Sequence, residues 1–141
     1  MADITDDIRA ALESKLALTI NGSYDIAFEN VSYSPTTGVS FLKTNFVPVA
    51  RNPAVRGLNP RQLYTGIFTV SVFAAEGVGP GVANAIAKTV SEAFEATTTV
   101  SYTNTDDETI EVSILSAERR QGFVDTPWYY TPVVINWYIY K

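Results

Sequence analysis

The chain has 141 residues, 46% of them hydrophobic and 12% aromatic, and a formal net charge of −5; that is enough for one packed domain over residues 1–141 and short for two. It contains no cysteine and no histidine, which excludes disulfides, thiolate or imidazole metal ligands, a Ser-His-Asp triad and a Cys-His pair. The acidic balance argues against a free-standing nucleic-acid binder, whose affinity depends on neutralising phosphates.

In chain order, Ile4, Ile8, Leu12 and Leu16 recur every four residues with Ala11 beside them, predicting an amphipathic first helix. Asp3, Asp6 and Asp7 fall in its first turn, where negative charge complements the positive end of the helix dipole, and Asn21-Gly22 stops it. This acidic start lacks the basic-then-apolar pattern of a signal peptide, and no apolar run approaches a membrane span, so a cytoplasmic protein is expected. Tyr24, Ile26 and Phe28 alternate with Asp25 and Glu29 as a short, half-exposed strand. After a turn at Ser34 to Gly38, Val39 to Val49 is extended, anchored by Phe41, Phe46 and Val47, and Pro48 ends it or marks an edge. Ala50 to Pro60 (ARNPAVRGLNP) has no usable periodicity and reads as a long loop, a candidate contact arm.

The stretch from Gln62 predicts a strand with Tyr64, Phe68, Val70, Val72 and Ala74 on one face and Thr65, Ile67, Thr69, Ser71 and Phe73 on the other. The turn Gly77-Val78-Gly79-Pro80-Gly81 then opens a helix whose apolar stripe is Val82, Ile86, Val90, Ala93 and Phe94, with Asn84, Lys88, Ser91, Glu92 and Glu95 facing water. A strand, a glycine turn and a helix can cradle a phosphate, but these glycines have the wrong spacing for a dinucleotide fingerprint and no P-loop Lys follows. Glu76 would repel an anion and Pro80 removes an amide donor, so the turn reads as a structural joint.

Thr97 to Tyr102 reads as a Thr-rich strand and Asn104 to Glu108 as a polar turn. Ile110, Val112 and Ile114 alternate until Leu115 breaks step, as a bulge would. Gly122 and Asp125-Thr126-Pro127 mark a turn before a last strand, Trp128 to Tyr140, with Val133, Ile135, Trp137 and Ile139 on one face and Tyr130, Val134, Tyr138 and Tyr140 on the other. Such a strand is either central and covered on both sides or offers one face to a partner. The order α-β-β-loop-β-α-β-β-β predicts an α+β fold: a mainly antiparallel β-sheet with two amphipathic helices packed against it.

Little here can carry chemistry. Asp106-Asp107-Glu108 lacks the alternate carboxylates and central Gly of a calcium loop and reads as a solvated turn. Glu111, Glu118 and Asp125 have no spacing that favours paired-carboxylate hydrolysis, so no enzyme activity and no cofactor are expected. Charge is uneven: no acidic residue occurs from Asn30 to Ala75, where Lys43, Arg51, Arg56 and Arg61 sit. A basic middle and an acidic remainder suit head-to-tail contacts between copies. Arg51, Asn52, Arg56, Arg61, Arg119 and Arg120 are the candidate interface residues. The aromatics Trp128, Tyr129, Tyr130, Trp137, Tyr138 and Tyr140 read as core or subunit interface, or as a stacking platform for sugars or bases.

Taken together, the chain resembles a tail terminator (tail completion) protein of a long-tailed bacteriophage. Four features carry the likeness: the helix IRAALESKL, the Arg-Asn-Pro loop before RQLYTGIFTVSVF, the GVGPG entry into a helix ending at Phe94, and the closing strand DTPWYYTPVVINWYIY. The resemblance covers nearly the whole chain. It implies a structural virion protein at the head-proximal end of the tail, assembled in the host cytoplasm. It implies a homohexameric ring that caps the tail tube, stops its polymerisation, meets a neck or head-completion protein, and lets DNA through without sequence-specific binding, with no membrane involved. The family offers no catalytic constellation to carry over. Charge reversal at Arg56 and Arg61 is then expected to block ring or tube binding while leaving the fold intact. A second reading stays open: a monomeric β-rich module with an aromatic cleft for carbohydrate or nucleic acid, which light scattering with and without tail tube protein would separate from the first.

Overall fold

Two helices lie on one face of a seven-stranded sheet in the computed structural model, which describes residues 4–29, 31–54, 56–57 and 61–141. The elements are α1 (Ile4–Ile20), β1 (Asp25–Ala27), β2 (Phe41–Pro53), β3 (Gln62–Ala75), α2 (Gly81–Ala93), β4 (Thr99–Thr103), β5 (Thr109–Arg119), β6 (Phe123–Asp125) and β7 (Trp128–Tyr140). Strands run in the order β1-β2-β3-β7-β5-β4, with β6 added to β7. The α+β expectation holds, with one difference: β1 runs parallel to β2 while the other ladders are antiparallel, so the sheet is mixed. Asp3 of the expected first turn, and residues 55 and 58–60 of the expected loop, lie outside the described residues.

Alternation places the core. Phe68, Val70, Val72 and Ala74 of β3 pair across to Ile135, Val133, Thr131 and Tyr129 of β7, and this shared face meets Leu12, Leu16, Ile86, Val90 and Phe94 of the helical layer. α1 ends where expected, at Asn21 (φ 50°) and Gly22 (φ 77°). No helix among the described residues is long and apolar enough to cross a membrane.

Four expectations need correction. The loop expected from Ala50 begins later: Pro48 marks an edge, one of its two expected readings, and β2 bulges between Pro48 and Ala50 and runs to Pro53, taking four of the eleven expected loop residues into a hairpin with β3. A bulge on an edge strand accommodates proline without breaking the ladder beyond it. In α2, Val82 is exposed and Ala83 takes its place, because the buried positions 83, 86, 87, 90 follow the i, i+3, i+4, i+7 spacing from Ala83. The strand expected from Thr97 starts at Thr99, since Thr97 adopts φ 71° in the preceding turn. The turn expected at Gly122 to Pro127 contains the short strand β6, whose Phe123 pairs with Tyr130. The bulge expected at Leu115 is present: the β5–β7 register shifts between Ile114 and Ser116.

The polar turn after β4 is held more firmly than its composition suggests. Asn104 is buried; its Oδ1 accepts from the N–H groups of Asp106 (2.9 Å) and Glu108 (3.0 Å), while Nδ2 donates to Asp7 Oδ2 at 3.0 Å. One side chain thus closes the hairpin and ties it to the first turn of α1.

Glu13 of α1 is partly withdrawn from water. Burial pushes its carboxyl above the ordinary carboxylate range, opposed by Arg9 and reinforced by Glu29. A carboxyl with a raised folded-state pKa binds more protons folded than unfolded, so stability falls as pH rises through the window between the two values. Glu13→Gln removes that slope. It is expected to match the parent near pH ~3.5 and to be more stable at neutral pH by a few tenths of a kcal/mol, the effect being small because solvent screens the group. Thermal melts at the two pH values check this.

Candidate assembly surface

With both helices on one face, the other face of the sheet has no helix over it among the described residues. It presents Leu63, Thr65, Ile67, Thr69, Ser71 and Phe73 of β3 against Tyr140, Tyr138, Asn136, Val134, Pro132 and Tyr130 of β7. Two depressions divide it. One, of about 850 Å³, lies toward β1 between the sheet and the segment around Phe28 to Pro35. The other, of about 380 Å³, lies toward the start of β3 and is walled by Val49, Leu63, Ile67, Leu115 and Tyr138.

Both bulges feed the smaller depression. Val49 and Leu115 are the residues where the β2 and β5 registers shift, and they are 61% and 64% exposed. Asn136, the amide in its floor, donates to Ser116 Oγ at 2.8 Å, so part of its polar capacity is met within the subunit. What remains is an apolar surface of the kind that marks contact with another macromolecule. The larger depression is aromatic, but its rings occupy one another. Phe41 stacks on Phe73 at 4.7 Å, Phe73 on Tyr130 at 5.1 Å, and Tyr33 lies 5.2 Å from Phe41. The Glu29 carboxylate at this wall accepts a hydrogen bond from the Phe46 N–H. Rings packed in this way leave few free faces for a sugar or base. Of the other nominated aromatics, Trp128 and Trp137 are buried, Trp137 stacked on Phe46 at 5.3 Å.

The candidate interface residues separate into two groups. Arg51, Asn52, Arg56 and Arg61 share the tip of the β2–β3 hairpin, all exposed. Arg51 lies over the Tyr64 ring at 5.5 Å, on the helical side, and Asn52 faces Leu63. Arg61 donates to the Tyr140 carbonyl at 3.1 Å and lines a separate depression with Glu111, Tyr140 and Lys141. Among the described residues none of these three arginines is paired with a carboxylate. Arg119 and Arg120 stand elsewhere: Arg119 faces Val133, six residues along β7 from the level of Tyr64, about 20 Å away. Arg120 is paired with Glu118 at 3.1 Å. No group of three or more acidic side chains able to hold a metal ion occurs among the described residues.

The exposed apolar residues at the two bulges are what sequence reasoning left out of the site. The step break at Leu115 was a signal for one; Val49 gave none, because its exposure follows from a register shift within a long hairpin.

A family model described as phage tail terminator protein matches residues 7–137. A solved structure 20% identical in sequence superposes with a TM-score of 0.73, covering 96% of this chain and 94% of that one. A chain from the virion of a native gene transfer agent particle superposes with a TM-score of 0.57 at 14% identity, covering 100% of both chains. At these identities the two structures speak to the fold. A search of curated proteins finds no match.

Proposed function

Since the chain belongs to the phage tail terminator protein family, and is thereby a structural tail protein of a virion, we propose that it caps the tail tube as a homohexameric ring. The ring ends tube polymerisation, offers its other side to a neck or head-completion protein at the head-proximal end, and lets DNA pass through its bore without sequence-specific binding. Assembly takes place in the host cytoplasm, without a cofactor or a chemical step.

One observation carries this reading: the sheet face without a helix over it, with its exposed Val49 and Leu115 beside a hairpin tip whose arginines lack carboxylate partners among the described residues. A subunit of a closed ring must present two different surfaces to its neighbours as well as surfaces to what lies above and below. Purified tail tube protein polymerising with and without this chain tests it. Tube length measured by electron microscopy should stop increasing once the chain is added, and the bound mass per tube end should equal six copies. Tubes that grow as long with the chain as without it would refute the capping role.

A further inference from the structure

The sheet has two strand edges at the same level, and their chemistry is opposite. Beyond Lys43, β2 has no neighbouring strand on its outer side among the described residues, and β4 pairs only with β5. Unpaired edge strands offer rows of N–H and C=O groups to another chain. In β2 the bulge at Pro48/Ala50 interrupts that row, leaving Ala50–Pro53 as a separate stretch next to the hairpin tip.

The register shows which part of β4 is level with that stretch. Asn52 faces Leu63, and Leu63 faces Tyr140. Ser113 faces Tyr138, so continuing that ladder by two pairs brings Glu111 level with Tyr140, and Glu111 faces Ser101. Ser101 of β4 is therefore level with Asn52 of β2, on the opposite edge. β2 and β4 also run in the same direction, being separated by an even number of antiparallel steps. The turns that follow them lie at the same end of the sheet. One carries Arg56 and Arg61; the other carries exposed Asp106, Asp107 and Glu108, none of which has an ion-pair partner among the described residues.

We propose that β4 of one copy pairs in parallel with Ala50–Pro53 of β2 in the next, placing Asp106–Glu108 of the first against Arg56 of the second, where the exposed Arg61 joins it by leaving the Tyr140 carbonyl. The pairing rests on the ring reading above and supplies its lateral contact. It is heterologous, so repetition closes a ring or extends a filament. Five strands at about 4.8 Å span about 24 Å, and six copies give a sheet circumference of roughly 144 Å and a bore of about 46 Å at the sheet midline, wide enough for duplex DNA. The acidic turn of each copy is neutralised by its neighbour, so the basic tip is spent on assembly and not on DNA.

The chain lacks cysteine, so single thiols can be placed at will. Ser101→Cys and Asn52→Cys copies of different tagged mass are mixed and oxidised with diamide. Strands paired at about 4.8 Å lie within the Cα separation a disulfide accepts, so the mixed disulfide should exceed either homodimer by about tenfold, a contrast expected of a heterologous contact. Arg56→Glu with Arg61→Glu in the Asn52→Cys copy should weaken the contact roughly a hundredfold, as loss of two close charge pairs does, and so bring the mixed yield down to the homodimer level. Asp106→Lys with Glu108→Lys in the Ser101→Cys copy should then restore it. Leu18→Cys, exposed on α1 and outside every contact argued above, serves as the background thiol. Homodimer yields equal to the mixed yield, or no rescue by the charge swap, would overturn the pairing. If tubes are nonetheless capped in the assay above, the ring reading stands without this contact; selective cross-linking with uncapped tubes supports the contact and removes the capping role.

Discussion

Gly66→Val is expected to destabilise the fold by about 3 kcal/mol, near the upper end of overpacking penalties. Gly66 is buried in β3, facing Pro48 on one side and Trp137 on the other. A Cβ there would sit 2.6 Å from the Val47 carbonyl oxygen and 2.8 Å from Trp137 Cε2. The first obstacle is backbone in the bulged strand and the second is an indole already stacked on Phe46 with an interplanar angle of 6°, so neither gives way cheaply. With total stability of about 5–15 kcal/mol for a domain, the loss is a large fraction, and Tm should fall by roughly 10 °C. Gly81 is the internal control. It begins α2, has no positive φ, and leaves open space within 4 Å of where an added Cβ would stand. Gly81→Ala should therefore be neutral or stabilising by up to about 1 kcal/mol. Thermal unfolding followed by Trp fluorescence reads both. Equal melting temperatures for the two variants would show that Trp137 can move aside.

The same glycine illustrates which parts of the molecule a sequence discloses. The faces of β3 and β7 were legible because alternation is local: Phe68, Val70 and Val72, or Val133, Ile135 and Trp137, declare one face whatever strand lies beside them. Leu115 declared its bulge by breaking that alternation. Gly66 did not declare itself, since its necessity depends on Trp137, 71 positions away in the chain and adjacent only through the ladder. Asn104 was legible as a turn residue but not as a buried one, because its third hydrogen bond reaches back to Asp7. Pro48 left two readings open, a strand end or an edge, for a related reason. Proline breaks an interior strand, and whether β2 is interior or edge is settled by pairing partners that lie far off in sequence. At the candidate site, Arg51, Arg56 and Arg61 share one hairpin tip as their closeness in sequence suggests, whereas Arg119 and Arg120 stand about 20 Å away along the sheet, a separation that only the strand register discloses.

Arg56→Glu combined with Arg61→Glu is expected to abolish tube capping while leaving the subunit folded. Each substitution reverses a charge on an exposed side chain, so the change in stability should stay below about 1 kcal/mol even though Arg61 loses its hydrogen bond to the Tyr140 carbonyl. The effect on assembly is of another order. Two close charge pairs at about 1.5 kcal/mol each make about 3 kcal/mol per contact, a weakening of roughly a hundredfold. In a ring this loss recurs at every contact, and the net charge of each copy moves from −5 to −9, adding repulsion between subunits. Tube length in the capping assay should therefore return to that of tube protein alone, while the far-UV spectrum and melting temperature stay near those of the parent. Salt supplies an independent check on the cause. Raising ionic strength from about 0.1 M to 1 M shortens the Debye length from about 10 Å to 3 Å, so capping by the parent chain should weaken over that range, and the reversed chain should gain nothing from low salt. Capping that survives both the reversal and high salt would mean that the apolar face around Val49 and Leu115 holds the assembly without the hairpin arginines.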